Sequence, residues 1–147
     1  MALANMLTDT KIVRVLNAVA AGVTQQTTTP VNTTGYDGIM FVCLLNTVVS
    51  TCALSLQLQD AAAQGGPFTN VTGAPNPSAI AGAASSNLLL AADCAVSPLK
   101  AWVQCLVNRT VANATLDGVL AILYRAKQKP TPLDATMLAA AFGEAQS

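Results

Sequence analysis

Histidine is absent from the chain, which removes the side chain most used as a general base near neutral pH and as a metal ligand. Ser-His-Asp and Cys-His nucleophilic arrangements are excluded with it. Charge is scarce too. Only 10% of the 147 residues are Asp, Glu, Lys or Arg, against ~25% in an ordinary globular domain, so the wet surface must be built from Thr, Ser, Asn and Gln. The seven basic residues are matched by seven acidic ones and form no stripe that could follow a phosphate backbone, so nucleic acid is not an expected partner. The short basic run at residues 125–129 reads as a solvated strand end before Pro130. Zero net charge also leaves little repulsion between copies.

Aromatics are few: three Phe, two Tyr and one Trp. The core therefore has to be packed from Ala, Val and Leu. No apolar run approaches the ~18 residues of a membrane span; the longest, residues 39–45, has the length of a strand. The first residues, MALANMLTDTKIVRV, lack a basic start followed by a long apolar stretch and a cleavage site, so the expectation is synthesis in a cytoplasm with no membrane partner. Neither G-x-x-x-x-G-K-[ST] nor G-x-G-x-x-G occurs, so both common phosphate cradles are missing. With no nucleophile paired to a base, an enzyme is the least expected class and no cofactor is expected.

What is present is a series of short strand signals. KIVRVLNA (residues 11–18) is β-branched and alternating. A Thr-rich stretch at residues 22–34 keeps β-propensity while staying wet, and Pro30 confines it to an edge strand or extended loop. YDGIMFVCLLN (36–46) and STCALSLQLQD (50–60) follow. In the second, Cys52, Leu54, Leu56 and Leu58 alternate with Ala53, Ser55, Gln57 and Gln59, giving one apolar and one amide face. Folded as a hairpin about Thr47 and Val48, the two would set Ile39 opposite Leu56, Phe41 opposite Leu54 and Cys43 opposite Cys52.

Residues 61–86 are punctuated by Gly65, Gly66, Pro67, Pro75 and Pro77 and read as a surface excursion with one short strand at 68–71. Strands resume at 87–96, 100–111 and 116–127, with turns at Ser97-Pro98 and at 112–114. Such a series, in a chain the size of one domain, indicates an all-β, antiparallel sandwich or barrel. The expected organisation is a single domain: an N-terminal arm (1–10), a sandwich (11–127) with the long loop 61–86, and a C-terminal tail (128–147). Residues 134–142 would form a short helix or a docking arm.

Asp37-Gly38 and Asp117-Gly118 each precede an apolar run and are read as structural turns leading into strands, since Asp and Gly tolerate tight backbone geometry. A working carboxylate pair from Asp37 and Asp117 would require the two turns to converge. Cys43, Cys52, Cys94 and Cys105 are too widely spaced for a structural zinc site. Each lies in an apolar segment and is expected to be a reduced core thiol, with Cys43 and Cys52 the candidate cross-strand pair. Four N-x-[ST] matches, at Asn32, Asn70, Asn108 and Asn113, follow from a Thr- and Asn-rich composition.

In order and spacing, VRVLNAVAAG, YDGIMFVCLL, LSLQLQDAAAQGGPFTNVTGA and LDGVLAILYRAKQKP, which between them reach from Val13 to Pro130, resemble the small decoration (cement, head-stabilising) proteins of tailed bacteriophage capsids. The resemblance implies a jelly-roll-like β-sandwich with no active site or cofactor. It would assemble as a homodimer or homotrimer on the outer surface of the virion, bridging major capsid protein subunits. The four cysteines and the Ala-rich passage at 79–84 depart from that pattern. Shell contacts are then expected from the arm around Leu3 to Leu7, the loop 65–83 and the tail. Two other roles suit the same strand series: a tail-tube or head-completion subunit, and a carbohydrate-binding sandwich, for which Trp102 would be the only tryptophan platform.

Overall fold

Alternation along the chain becomes two antiparallel sheets in the computed structural model, which describes residues 6–129 and 131–141. One helical turn, α1 (Met6–Asp9), is followed by β1 (Lys11–Leu16), β2 (Val19–Gly22), β3 (Gln26–Thr27), β4 (Val31–Asn32), β5 (Tyr36–Val48), β6 (Ala53–Ala61), β7 (Thr69–Asn70), β8 (Ser78–Ile80), β9 (Leu89–Ala95), β10 (Trp102–Thr110) and β11 (Ala114–Ala126). The first sheet runs β1-β11-β5-β9, with β2 also on β11. The second runs β3-β10-β6-β7, with β4 on β10 and β8 on β6. The chain is an all-β sandwich.

The inward residues of both sheets form one apolar cluster. Ile39, Phe41, Val119 and Leu123 come from the first sheet, and Leu56, Leu58, Val103 and Val107 from the second. Phe41 is the largest fully buried side chain; around it the core is aliphatic, as the scarcity of aromatics requires.

The hairpin expected between residues 36–46 and 50–60 does not form. β5 lies between β11 and β9, whereas β6 pairs with β10, β7 and β8. Residues 49–52 carry the chain from one sheet to the other, with Thr51 at φ 76° and the Cys52 amide donating to the Val49 carbonyl. Parity correctly puts Ile39, Phe41 and Cys43 in the same core as Cys52, Leu54 and Leu56, but the first three reach it from one sheet, Leu54 and Leu56 from the other, and Cys52 from the connection between them. Alternation determines which face is buried and says nothing about the neighbouring strand; four connecting residues are enough to cross the ~10 Å between packed sheets.

The Thr-rich stretch is an edge, as expected. β3 and β4 flank Pro30, and Thr28 closes the gap by exchanging bonds with Cys105: its amide donates to the Cys105 carbonyl (3.0 Å) and its hydroxyl accepts from the Cys105 amide (2.9 Å). The excursion 61–86 contains two short strands rather than one. β7 lies where a strand was expected, and β8 adds Ala79 opposite Leu54. The dense Pro and Gly limit both to brief pairing at the sheet margin.

Among the described residues the tail forms no helix and instead docks. Thr131 Oγ1 donates to the carbonyls of Leu7 and Thr10, and the Arg14 amide donates to Thr136 Oγ1 at 2.9 Å. Ion pairs Lys11–Asp134 (3.5 Å) and Lys129–Asp9 (3.0 Å) complete a clasp between the two ends of the chain along the β1 edge. Leu3 of the arm and Phe142 of the tail lie outside the described residues.

Candidate interaction surfaces

The two outward faces differ sharply in chemistry. On the first sheet the register sets Ile12, Ile122, Met40 and Asp93 in one row across β1, β11, β5 and β9, and Arg14, Leu120, Val42 and Ala91 in the next. Leu44 and Leu89 pair in a third row and are 36% and 56% exposed. These side chains alternate with the buried set on each strand, so they point away from the core. They shield one another only partly. A contiguous aliphatic face of this kind marks a contact surface more often than an isolated exposed Leu does.

The outward face of the second sheet is polar and internally bonded. Gln104 Nε2 donates to Gln59 Oε1 (2.8 Å), whose own Nε2 donates to Asn70 Oδ1 (2.9 Å). Asn108 Nδ2 donates to Ser55 Oγ (3.0 Å) and its Oδ1 accepts from Gln25. This is the amide face read from the alternation of residues 50–60, and two of the four N-x-[ST] asparagines, Asn70 and Asn108, belong to it.

The Asp-Gly dipeptides serve different purposes. Asp37 and Gly38, read as a turn leading into a strand, lie inside β5, where Gly38 is paired on both sides with Tyr124 and Ala95; the turn before the strand is at residues 34–35. Gly38 is required by its neighbour across the ladder: a Cβ there would lie 2.1 Å from Tyr124 Cζ. The ring lies over the glycine while the Tyr124 hydroxyl donates to Asp93 Oδ1 on β9. That hydrogen bond, with burial and the carboxylate charge, pushes the phenol up to about 12. Asp117 and Gly118, read as a second turn leading into a strand, instead lie inside β11. Gly118 has φ 141° at a register shift between Leu116 and Gly118, which makes it a bulge. A Cβ on it would come within 2.8 Å of the Leu16 carbonyl oxygen.

Asp37 and Asp117 do not converge. Gly38 is opposite Tyr124 and Gly118 opposite Leu44, so six residues of β5, roughly 20 Å of strand, separate the two sites. Asp117 accepts from Asn46 Nδ2 (2.8 Å). Among the described residues no three His, Cys, Asp or Glu side chains cluster to hold a metal.

Cys43 and Cys52, the candidate pair, are not cross-strand neighbours: Cys43 lies on β5, between β11 and β9, and Cys52 in the connector just before β6, and all four cysteines are free thiols. Burial pushes Cys43 up to about 11. Burial, with a smaller contribution from Cys43, pushes Cys105 up to about 12. Both are inert core residues at neutral pH. Cys94 is half-buried, and its thiol is raised by burial and by the neighbouring Asp93.

No protein-family model matches the chain, and no curated protein or solved structure matches it. Its surfaces have to be read from their own chemistry.

One residue the sequence reading passed over is Arg109, only 3% exposed. Its guanidinium donates to the carbonyls of Thr24 (2.8 Å), Ala20 (2.8 Å) and Ala114, with no carboxylate in ion-pair range among the described residues. It ties β10 of one sheet to β2, to the loop after β2 and to β11 of the other. The signal was its phase: Arg109 shares the parity of Val103, Cys105 and Val107. The aliphatic face was announced by the runs 39–45 and 119–123, apolar at both parities where a half-exposed strand alternates.

The described cavities are shallow. One of about 220 Å³ lies between the tail and β1, lined by Leu7, Ile12, Leu133, Met137 and their neighbours. It holds Asp134, whose carboxyl is opposed by burial but held below its usual range by hydrogen bonds from the Thr136 amide and hydroxyl and by the Lys11 ammonium. This charge fastens the tail.

Proposed function

We propose that this chain is a structural coat protein that decorates the outer surface of an icosahedral tailed-phage capsid, ties major capsid protein subunits together and associates with its own copies. The observation that carries the reading is the two-sided sandwich, with an aliphatic outer face on one sheet and an amide and hydroxyl outer face on the other. A protein that joins like and unlike neighbours needs two such chemistries: apolar area for a dry contact and side-chain amides for a wet one. The order of strand motifs that resembles the decoration proteins supports the same reading. So does the low charge, which suits a surface destined to be covered. Each contact need only be modest, because repetition over a lattice multiplies it.

The test is solution mass by light scattering, followed by mixing with empty expanded shells of the virus that encodes the chain. A discrete dimer or trimer that co-sediments with shells is the expected result. A monomer that stays in the supernatant would overturn the reading. Open-ended rings or tubes by negative-stain microscopy would replace it with a tail-tube subunit.

A further inference from the structure

At one margin of the first sheet, β9 pairs with β5 alone. Its seven residues keep an unbroken register, from Gly38 opposite Ala95 to Leu44 opposite Leu89. Just beyond its ends the Val96 amide donates to the Asp37 carbonyl and the Leu45 amide to the Leu88 carbonyl, both at 2.9 Å. Bonded pairs recur at every second residue of an antiparallel ladder, so Leu90, Ala92 and Cys94 direct their backbone groups to β5. Leu89, Ala91, Asp93 and Ala95 turn theirs outward. All four are exposed. Among the described residues their N–H and C=O groups meet no partner beyond a weak bond from the Cys94 thiol to the Ala95 carbonyl (3.5 Å).

A long free edge is a template for a further strand, and folds ordinarily blunt it. The opposite margin of the same sheet is blunted by the tail, which lies along β1 where the Arg14 amide donates to Thr136 Oγ1. The second sheet ends in strands of two or three residues. On β9 there is no proline, no lysine and no bulge. Its one charge, Asp93, is drawn in over β5 by the Tyr124 hydroxyl of β11.

From this bare edge we infer that β9 takes an added strand, and that the strand is an extended segment of the major capsid protein. The inference rests on the coat-protein reading. The chain's own ends are badly placed to supply the strand. Both lie at β1, where Leu7 and Ala141 line one cavity with Lys11 and Ile12. Three strand spacings, roughly 14 Å, would use up most of residues 1–5 or 142–147, leaving about one or two residues to pair. The β9 of a second copy is disfavoured as well: in the antiparallel register of longest overlap Ala91 faces Asp93, and the two carboxylates become diagonal neighbours ~7 Å apart. The chemistry of the incoming segment follows from β9. It is extended over about six residues and bonds through its main chain. Its alternate side chains are apolar where they cover Leu90 and Cys94, which are only partly buried at the open margin of the core, and small or apolar where they continue the face of Leu89 and Ala91.

The test is residue-resolved hydrogen exchange by mass spectrometry on the full chain, free and bound to empty expanded shells of the virus that encodes it. On binding, the amides of Leu89, Ala91, Asp93 and Ala95 should slow by about tenfold or more, while those of Leu90, Ala92 and Cys94, bonded to β5 in both states, stay as they were. Burial of the aliphatic face alone does not produce that alternation. Ala91→Pro removes one outward donor and leaves the β5 ladder whole; it should weaken co-sedimentation with shells by about tenfold or more, whereas Ala91→Ser, which keeps the donor, should bind within a few-fold of wild type. Urea denaturation reports that the variants keep the fold, and if Ala91→Pro does not, the wild-type exchange pattern decides. Wild type that binds shells without the alternating protection, or a folded Ala91→Pro that binds as wild type does, would overturn the added strand and leave the coat reading standing. Wild type that does not bind shells overturns both. The same protection arising in the isolated chain as its concentration is raised would assign the edge to a second copy and overturn the assignment to the capsid protein.

Discussion

Replacing Arg109 by Met keeps much of the side-chain volume and removes the guanidinium that bonds three backbone carbonyls at the seam of the sandwich. Thr24, Ala20 and Ala114 each lose a charge-assisted donor, a bond of ~1.5–3 kcal/mol taken singly. The three are not additive, because one immobilised group makes them all and because part of the benefit offsets burying an arginine with no carboxylate beside it. A net loss of about 3–5 kcal/mol is expected, in the range for breaking a buried charged network. For a chain of this length that lowers the melting temperature by roughly 10 °C or more. Urea denaturation followed by Trp102 fluorescence gives the free energy directly. Arg109→Lys should fall between the two, since a single ammonium cannot present the guanidinium fork. If Arg109→Met unfolds within ~1 kcal/mol of wild type, the three carbonyls are otherwise satisfied and the pin does not exist.

Three further outcomes follow from the same geometry. Gly38→Ala should displace the Tyr124 ring and break its bond to Asp93, so that the phenol now raised to about 12 returns towards 10; ultraviolet titration in a Tyr36→Phe background reads this. Cys43 and Cys105 titrate at about 11 and about 12 when folded, above the ordinary thiol value of 9.0. Their contribution to stability is complete below pH 9 and declines as pH rises through the folded values, by up to ~1.4 kcal/mol per pH unit for each thiol. Denaturant midpoints that stay level from pH 9 to 11 would contradict this, and in the native protein at pH 8 a thiol reagent should modify Cys94 first. Deleting residues 131–147 removes the Lys11–Asp134 pair and the acceptor of the Arg14 amide; a loss of ~1–2 kcal/mol is expected, with faster hydrogen exchange at Arg14.

Much of this fold could be read from the sequence wherever a local rule applied. Alternation located β6 and assigned its amide and apolar faces, Pro30 kept the Thr-rich stretch at an edge, and the cysteines read as core thiols are free, with Cys43, Cys52 and Cys105 buried. Pairing was not local. β5 finds β11 far along the chain, with Phe41 opposite Ala121, and the hairpin with β6 was the nearest solution rather than the one adopted. Asp117-Gly118 resembled Asp37-Gly38 in sequence and both were read as turns into strands, yet Gly118 sits at a bulge with φ 141° and Gly38 at a regular ladder position inside β5. The aliphatic face was missed for another reason: residues 36–46 were read for the one face that carries Ile39, Phe41 and Cys43, and residues 116–127 only as a strand, whereas the alternate residues of each form an apolar outward face.

The central claim is that the aliphatic face of β1, β11, β5 and β9 works in the assembly of a coat. The direct measurement is co-sedimentation with empty expanded shells, wild type beside Val42→Lys, with matched urea stabilities as the control. The account predicts that wild type saturates the shells at a fixed ratio of chain to capsomer and that Val42→Lys binds more weakly and without cooperativity. Equal binding by the two proteins, or none by wild type, would contradict it.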